Sequence, residues 1–202
     1  MIRSSLDALI EDPDLFKRFV KTLENGDVVV LPTDTLYGFA VHAEAKSAVD
    51  KVYKIKDRDS RKPLILFLES CQALANIGIT PDFHQQKILE EFWPGALTAI
   101  FSRPENFAPE SFTFPTLGIR VPGHSRLLQL LQRLPMQLLT TSANRSGAPS
   151  DNDPEKIAEE FANEVAWLVE DGILADSLPS TVIDLSTEPF RILRRGAVLP
   201  KL

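Results

Sequence analysis

Short apolar runs of strand length alternate with helical-period segments along the whole chain, and this alternation restricts its fold more than any other feature. Asp12-Pro13 is a helix start, with Asp as N-cap and Pro at the first helical position. Leu15, Phe16, Phe19, Val20 and Leu23 follow at helical spacing, and Asn25-Gly26 ends the segment. Residues 28–31 read as a buried strand that Pro32 stops. Helices are predicted over 45–56, 83–93 and 125–134, and a further one starts at Asp153-Pro154. Strands are predicted over 63–68, 97–101, 117–121, 136–140, 165–169, 181–185 and 190–193. Such interleaving predicts an α/β fold, with helices packed on a mixed rather than purely parallel sheet. Residues 103–116, rich in Pro and Phe without periodicity, are expected to form an extended loop that covers the site.

The 202 residues show no internal repeat, low-complexity tract or linker, so 1–202 is read as a single domain. One cysteine, Cys71, rules out an internal disulfide. The first residues lack a secretory pattern and no apolar run reaches bilayer-spanning length, so a cytoplasmic protein without membrane association is expected. A formal net charge of −6 argues against general attraction to nucleic acid. Cations nevertheless concentrate in one stretch: Lys46, Lys51, Lys54, Lys56, Arg58, Arg61 and Lys62 face only Asp50, Asp57 and Asp59. The stretch is either a solvated helix face or a place for an anionic ligand. There is no Walker loop, dinucleotide fingerprint or nucleophile elbow. His42, His84 and His124 lack paired ligand spacing, so no dedicated metal site is expected.

Three segments could carry chemistry. Pro32-Thr33-Asp34-Thr35-Leu36-Tyr37-Gly38 follows a buried strand, a favoured ligand position in α/β sheets, and offers three hydroxyls and a carboxylate. The same residues equally make a turn held by Asp and Thr side chains. Lys54, Lys56, Arg58 and Lys62 gather where a helix ends, placed either to satisfy the helix dipole or to hold a triphosphate. Residues 140–150 follow a strand and are rich in small hydroxyl residues, as in an anion-binding nest or a plain polar loop. Arg120 and Arg194 sit near strand ends, where a guanidinium can clamp carboxylate or phosphate.

Taken together the segments resemble the YrdC-like family of L-threonylcarbamoyladenylate synthases, over roughly residues 24–198. The carriers are the 32–38 loop, Lys54-Ile55-Lys56-Asp57-Arg58 leading to Lys62-Pro63-Leu64-Ile65, and Phe92-Trp93-Pro94-Gly95-Ala96-Leu97-Thr98. They continue with Gly118-Ile119-Arg120-Val121-Pro122, Thr141-Ser142-Ala143-Asn144-Arg145-Ser146-Gly147, Ser180-Thr181-Val182-Ile183-Asp184-Leu185 and Arg194-Arg195-Gly196.

The resemblance implies a YrdC-like domain whose twisted mixed sheet carries helices and an open concave substrate cleft. It implies a nucleotidyltransferase that turns L-threonine, bicarbonate and ATP into threonylcarbamoyl-AMP and pyrophosphate for t6A37 modification of tRNA. Thr35, Arg120, Thr140 and Ser180 would then hold threonine, with Phe67 where longer relatives often place a histidine. Arg58, Lys62, Thr116, Ser142, Ser150 and Arg194 would hold ATP, and Lys56 and Asn144 would support its phosphates. ATP would arrive with Mg2+, and no protein nucleophile is needed. Implied partners are the downstream threonylcarbamoyl-transferase machinery and, weakly, tRNA or double-stranded RNA. The chain departs from the family at Asp59 and Arg195 and is read as the short bacterial form. The alternative is a YciO-like paralogue that binds RNA or nucleotide without synthase activity. Intact Lys-x-Arg and Ser-x-Asn motifs favour the synthase. A carbamoyl-transfer role like that of the larger hydrogenase-maturation proteins lacks their zinc motifs here.

Overall fold

The Asp-Pro signals fold as they read. In a computed structural model, which describes residues 1–201 except 58, 60, 61, 106, 108, 110, 111 and 176, Asp12 Oδ1 accepts from the backbone N–H groups of Asp14 and Leu15. Pro13 opens the helix Pro13–Glu24, and Asp153 caps the helix Pro154–Glu160 in the same way.

Among the described residues, ten strands form one sheet: β1 (Ile2–Ser5), β2 (Val29–Leu31), β3 (Gly38–His42), β4 (Ile65–Phe67), β5 (Leu97–Ser102), β6 (Thr116–Arg120), β7 (Leu138–Ser142), β8 (Trp167–Glu170), β9 (Thr181–Asp184) and β10 (Arg191–Arg194). Their spatial order is β1-β8-β2-β3-β7-β4-β6-β5-β9-β10. The pairs β1–β8, β2–β8, β4–β6 and β5–β9 are parallel and the rest antiparallel, so the sheet is mixed as expected.

Alternation along each strand separates two apolar layers. One face presents Val30, Phe39, Leu66, Ile119, Leu139 and Ile183 to α3 (Lys46–Lys56), α4 (Phe83–Phe92), α6 (Pro154–Glu160) and a 3-10 turn at Cys71–Ile77. The other presents Val29, Leu31, Ala40, Phe67 and Leu138 to α1 (Leu6–Glu11), α2 (Pro13–Glu24) and α5 (Ser125–Arg133).

β1, α1 and β3 are absent from the sequence reading. β1 is mostly exposed and gains its strand character from pairing with β8. β3 is a short run behind the 32–38 loop, yet it pairs with both β2 and β7 in the centre of the sheet. Its Gly38 fits there because a Cβ would stand 3.0 Å from the Thr141 carbonyl oxygen.

The expected covering loop is corrected by the structure. Arg103 N–H bonds the Pro115 carbonyl and Arg103 Nη1 donates to the Phe112 carbonyl, closing the connection on itself beside β5 and β6. Phe112 meets Phe107 and Phe114 edge to face, and Phe107 and Phe112 are buried in the larger apolar layer. Burying these rings outweighs leaving them over a polar site.

Candidate functional site

A cavity of 390 Å³ opens on the sheet face that carries α1, α2 and α5, and brings most of the expected site residues together. Its floor is set by register. Thr140 lies opposite Ile65, Ile65 beside Gly118, and Phe67 beside Arg120, so Ile65, Phe67, Arg120 and Thr140 share one face. Around this floor stand the 32–38 loop, residues Ser142, Asn144 and 148–150, and the group Pro179, Ser180 and Arg194. Among the described lining residues the only charged ones are Arg120 and Arg194, and both are positive.

The 32–38 loop is at once a turn and part of the site. Thr33 Oγ1 accepts from the N–H groups of Thr35 (3.0 Å) and Leu36 (3.1 Å) and donates to the Leu36 carbonyl (2.7 Å). That turn holds Thr35 Oγ1 where it accepts from Arg120 Nη1 at 2.9 Å. Tyr37 anchors the far side: its hydroxyl donates to the Gly172 carbonyl (2.7 Å) and accepts from Asp171 N–H (2.9 Å). Burial pushes the Tyr37 phenol up to about 12, against a lowering from the Asp171 N–H. Because the folded state favours the neutral phenol, its contribution to stability is complete below pH 10, the ordinary tyrosine value, and is lost as pH rises through about 12. With two tyrosines in the chain, an ultraviolet titration of tyrosinate is expected to show a delayed phase near pH 12 that Tyr37→Phe removes. The same variant should lose about 0.5–1.5 kcal/mol of stability in denaturant melts, since it removes two hydrogen bonds whose partners, at Asp171 and Gly172, can turn to water.

Arg120 is 4% exposed and all three of its nitrogens are engaged. Nε donates to the Gly95 carbonyl (2.9 Å), Nη1 to Thr35 Oγ1, and Nη2 to Asp34 Oδ1 (2.7 Å). Burial lowers the pKa of this guanidinium and the Asp34 carboxylate opposes the lowering. The group remains a fixed cation with two N–H bonds still to offer.

Lys56 stands behind the cavity wall. It is 2% exposed and does not line the cavity. Its ammonium donates from behind to the carbonyls of Ser142 (2.5 Å) and Asn144 (2.8 Å) and to Asn144 Oδ1 (2.9 Å). Asn144 Oδ1 also accepts from Ser142 Oγ, and its Nδ2 donates to the Arg145 and Ala148 carbonyls. Lys56 and Asn144 thus shape the 142–148 turn, and Ser142 and Ser150 line the cavity on its inner side. The Lys56 carbonyl accepts from Ser146 N–H at 2.7 Å, which ties the end of α3 to the same turn.

Arg58 lies outside the described residues. Lys62 is exposed and does not line the cavity, although its neighbour Pro63 does. The structure does not bring Thr116 there either. It pairs with Ser102 at the start of β6, about 13 Å of strand from Arg120.

Ser180 and Arg194 come together: Arg194 Nη2 donates to the Ser180 carbonyl at 2.7 Å and lies 3.3 Å from Ser180 Oγ. Gly196 holds the two segments in contact, for a Cβ there would stand 2.1 Å from the Pro179 carbonyl oxygen. The sequence reading assigned no role to Thr98, whose hydroxyl lies 2.9 Å from Ser180 Oγ. Its one available signal is a lone hydroxyl in the otherwise apolar start of β5. The Asp34–Arg120 ion pair was also not read, because a carboxylate in a turn needs no distant cation.

Among the described residues there is no cluster of three metal-ligating side chains, and no helix is long and apolar enough to cross a membrane.

A family model for Sua5, YciO and YrdC proteins, described as telomere recombination, matches residues 21–196. The threonylcarbamoyl-AMP synthase of Bacillus subtilis (strain 168) is 32% identical over 190 residues, which are 93% of this chain and 54% of that protein. The chain therefore spans about half the length of that relative. The structure of P. abyssi Sua5 complexed with L-threonine superposes with a TM-score of 0.82 at 27% identity, covering 96% of this chain and 56% of that one. The E. coli YciO structure superposes with a TM-score of 0.79 at 24% identity, over 96% of this chain and 93% of that one, a likeness of fold. With most of its length matched by the family model, the chain belongs to the Sua5/YciO/YrdC family.

Proposed function

We propose that the cavity binds L-threonine, bicarbonate and ATP and forms threonylcarbamoyl-AMP. The observation that carries the reading is the buried Arg120 guanidinium beside Thr35 Oγ1, in a cavity whose described charged lining residues are both arginines. The B. subtilis relative's name and the threonine complex of P. abyssi Sua5 support it. In balanced form, the threonine amine and bicarbonate give a carbamate and water. A carbamate oxygen then bonds the α-phosphorus of ATP and pyrophosphate leaves. Both partners of that step are anions, so the barrier falls when fixed cations and N–H donors offset their repulsion and hold them in line.

In this reading Arg120 takes the threonine carboxylate, with Thr35, Thr140 and Ser180 offering hydroxyls around it and Phe67 and Ile65 packing against the substrate. Ser142 and Ser150 take the phosphates, with Arg194 beside them. Arg58 and Lys62 keep the ATP-binding role that the family resemblance implies for them, and Mg2+ enters on the nucleotide. The product passes to the machinery that builds t6A37 on tRNA.

The reading is tested by pyrophosphate release, which should require threonine and bicarbonate together. ATP turnover that ignores threonine, combined with tight salt-sensitive RNA binding, would replace it with the RNA-binding alternative. Lys56→Met is expected to raise the KM for ATP about tenfold while changing the KM for threonine little. It leaves the Ser142 and Asn144 carbonyls without this donor and loosens the turn, and steady-state kinetics with each substrate varied reads the difference.

A further inference from the structure

Ser180 sits on the cavity wall, but the group that decides what its hydroxyl can do is behind it. Thr98 Oγ1 lies 2.9 Å from Ser180 Oγ, and Thr98 is 1% exposed on β5 while Ser180 lines the cavity. The register makes the contact a fixed one. Thr98 lies beside Val182 in the parallel β5–β9 pair, and the Thr181 N–H bond to the Ala96 carbonyl locks the start of β9 against β5.

Each hydroxyl has one proton to give and two lone pairs to accept with. Arg194 Nη2, 3.3 Å from Ser180 Oγ, can only donate. Two arrangements of the Thr98–Ser180 bond remain. If Ser180 donates to Thr98, the Thr98 proton is buried and has no acceptor among the described residues. If Thr98 donates to Ser180, the Thr98 proton is satisfied, both lone pairs of Ser180 are occupied, and the Ser180 proton is free to point where Ser180 is open, into the cavity. A buried donor without a partner is costly, and a cavity-facing donor is met by water or ligand. The second arrangement prevails.

We infer that Thr98 is a positioning residue for this cavity: it donates to Ser180 Oγ and so turns the Ser180 hydroxyl into a donor aimed at an anionic group of the ligand. The ligand class follows from the polarity. A hydroxyl with both lone pairs filled by Thr98 and Arg194 cannot accept, and it presents a proton beside a guanidinium, a pair suited to a carboxylate or carbamate oxygen and ill suited to an ammonium group. This identification of the anion as the substrate's own carboxylate or carbamate rests on the synthase reading above.

The test is a double-mutant cycle on L-threonine binding by the full chain, followed by calorimetry, with threonine-dependent pyrophosphate release measured alongside. Thr98→Val, which keeps shape and strand preference, should weaken threonine binding about tenfold, and Thr98→Ser should restore it to within about twofold. In a Ser180→Ala background, Thr98→Val should have no further effect on binding, because the proton it aims is gone. Equal effects of Thr98→Val with and without Ser180 would overturn the inference by showing that Thr98 acts only through the packing of β5. Failure of Thr98→Ser to rescue, or wild-type protein that binds no threonine, would overturn it as well. Protein that binds threonine with the expected coupling but releases no pyrophosphate would keep the inference and overturn the synthase reading.

Discussion

Replacing Arg120 with alanine is expected to lower threonine-dependent pyrophosphate release about a hundredfold to a thousandfold, chiefly through the KM for threonine. The guanidinium is 4% exposed, and truncating one partner of a buried hydrogen-bonded charge pair costs about 2–5 kcal/mol. Two charges lose their partner in this variant. Under the proposed function the substrate carboxylate loses its cation, and Asp34, with a side chain 17% exposed, keeps a carboxylate that Arg120 no longer offsets. Arg120→Ala should therefore also melt earlier. Arg120→Lys separates the two effects. A lysine restores the charge beside Asp34 and much of the stability, but it cannot reach the Gly95 carbonyl, Thr35 Oγ1 and Asp34 Oδ1 together as the planar fork does. Stability restored with activity still low is the expected pattern, read by thermal melts and steady-state kinetics. Arg120→Ala with wild-type turnover would remove Arg120 from the site.

The second large effect is expected at a residue that touches no substrate. Gly196→Ala places a methyl group 2.1 Å from the Pro179 carbonyl oxygen and 2.6 Å from the Ser180 carbonyl carbon. Both contacts are backbone, so no side-chain rotation relieves them. Either the residues after β10 or the residues before β9 must move. The Ala197 N–H bond to the Pro179 carbonyl and the Gly196 N–H bond to Thr181 Oγ1 would then break or stretch. Overpacking of this kind costs about 1–3 kcal/mol. Activity should fall further than stability, because Ser180 and Arg194 are both carried by the segments pushed apart. Denaturant melts and the KM for threonine, measured on one preparation, compare the two losses. An alanine variant with unchanged KM would show that the Ser180–Arg194 contact is dispensable for binding.

What the sequence disclosed is what is decided locally. Asp12-Pro13 and Asp153-Pro154 announce their helices because a cap and a fixed φ act within one turn. Most of the strands are legible because apolar runs of strand length have few other uses. The 32–38 loop stood between turn and site in the sequence, and the structure shows why neither reading could exclude the other: Thr33 makes the turn and Thr35 faces Arg120.

The features that were missed depend on partners far along the chain. Asp34 and Arg120 are 86 residues apart, and Thr98 and Ser180 are 82 apart. Lys56 reads as a phosphate ligand from its cationic neighbourhood, yet α3 turns it inward to carbonyls 86 and 88 residues away. β3 becomes a central strand through its pairing with β2 and β7, which no property of its five residues reports. The 103–116 segment looked like a lid because its aromatic residues lack a period. They bury against one another and the core instead.

The most direct measurement is mass spectrometry of the reaction mixture after incubating the protein with ATP, L-threonine and bicarbonate. The expected result is threonylcarbamoyl-AMP, formed in equal amount with pyrophosphate and absent when threonine or bicarbonate is omitted or Arg120 is replaced by alanine. ATP consumed with no such adduct, or an adduct that forms equally well in the Arg120→Ala variant, would contradict it.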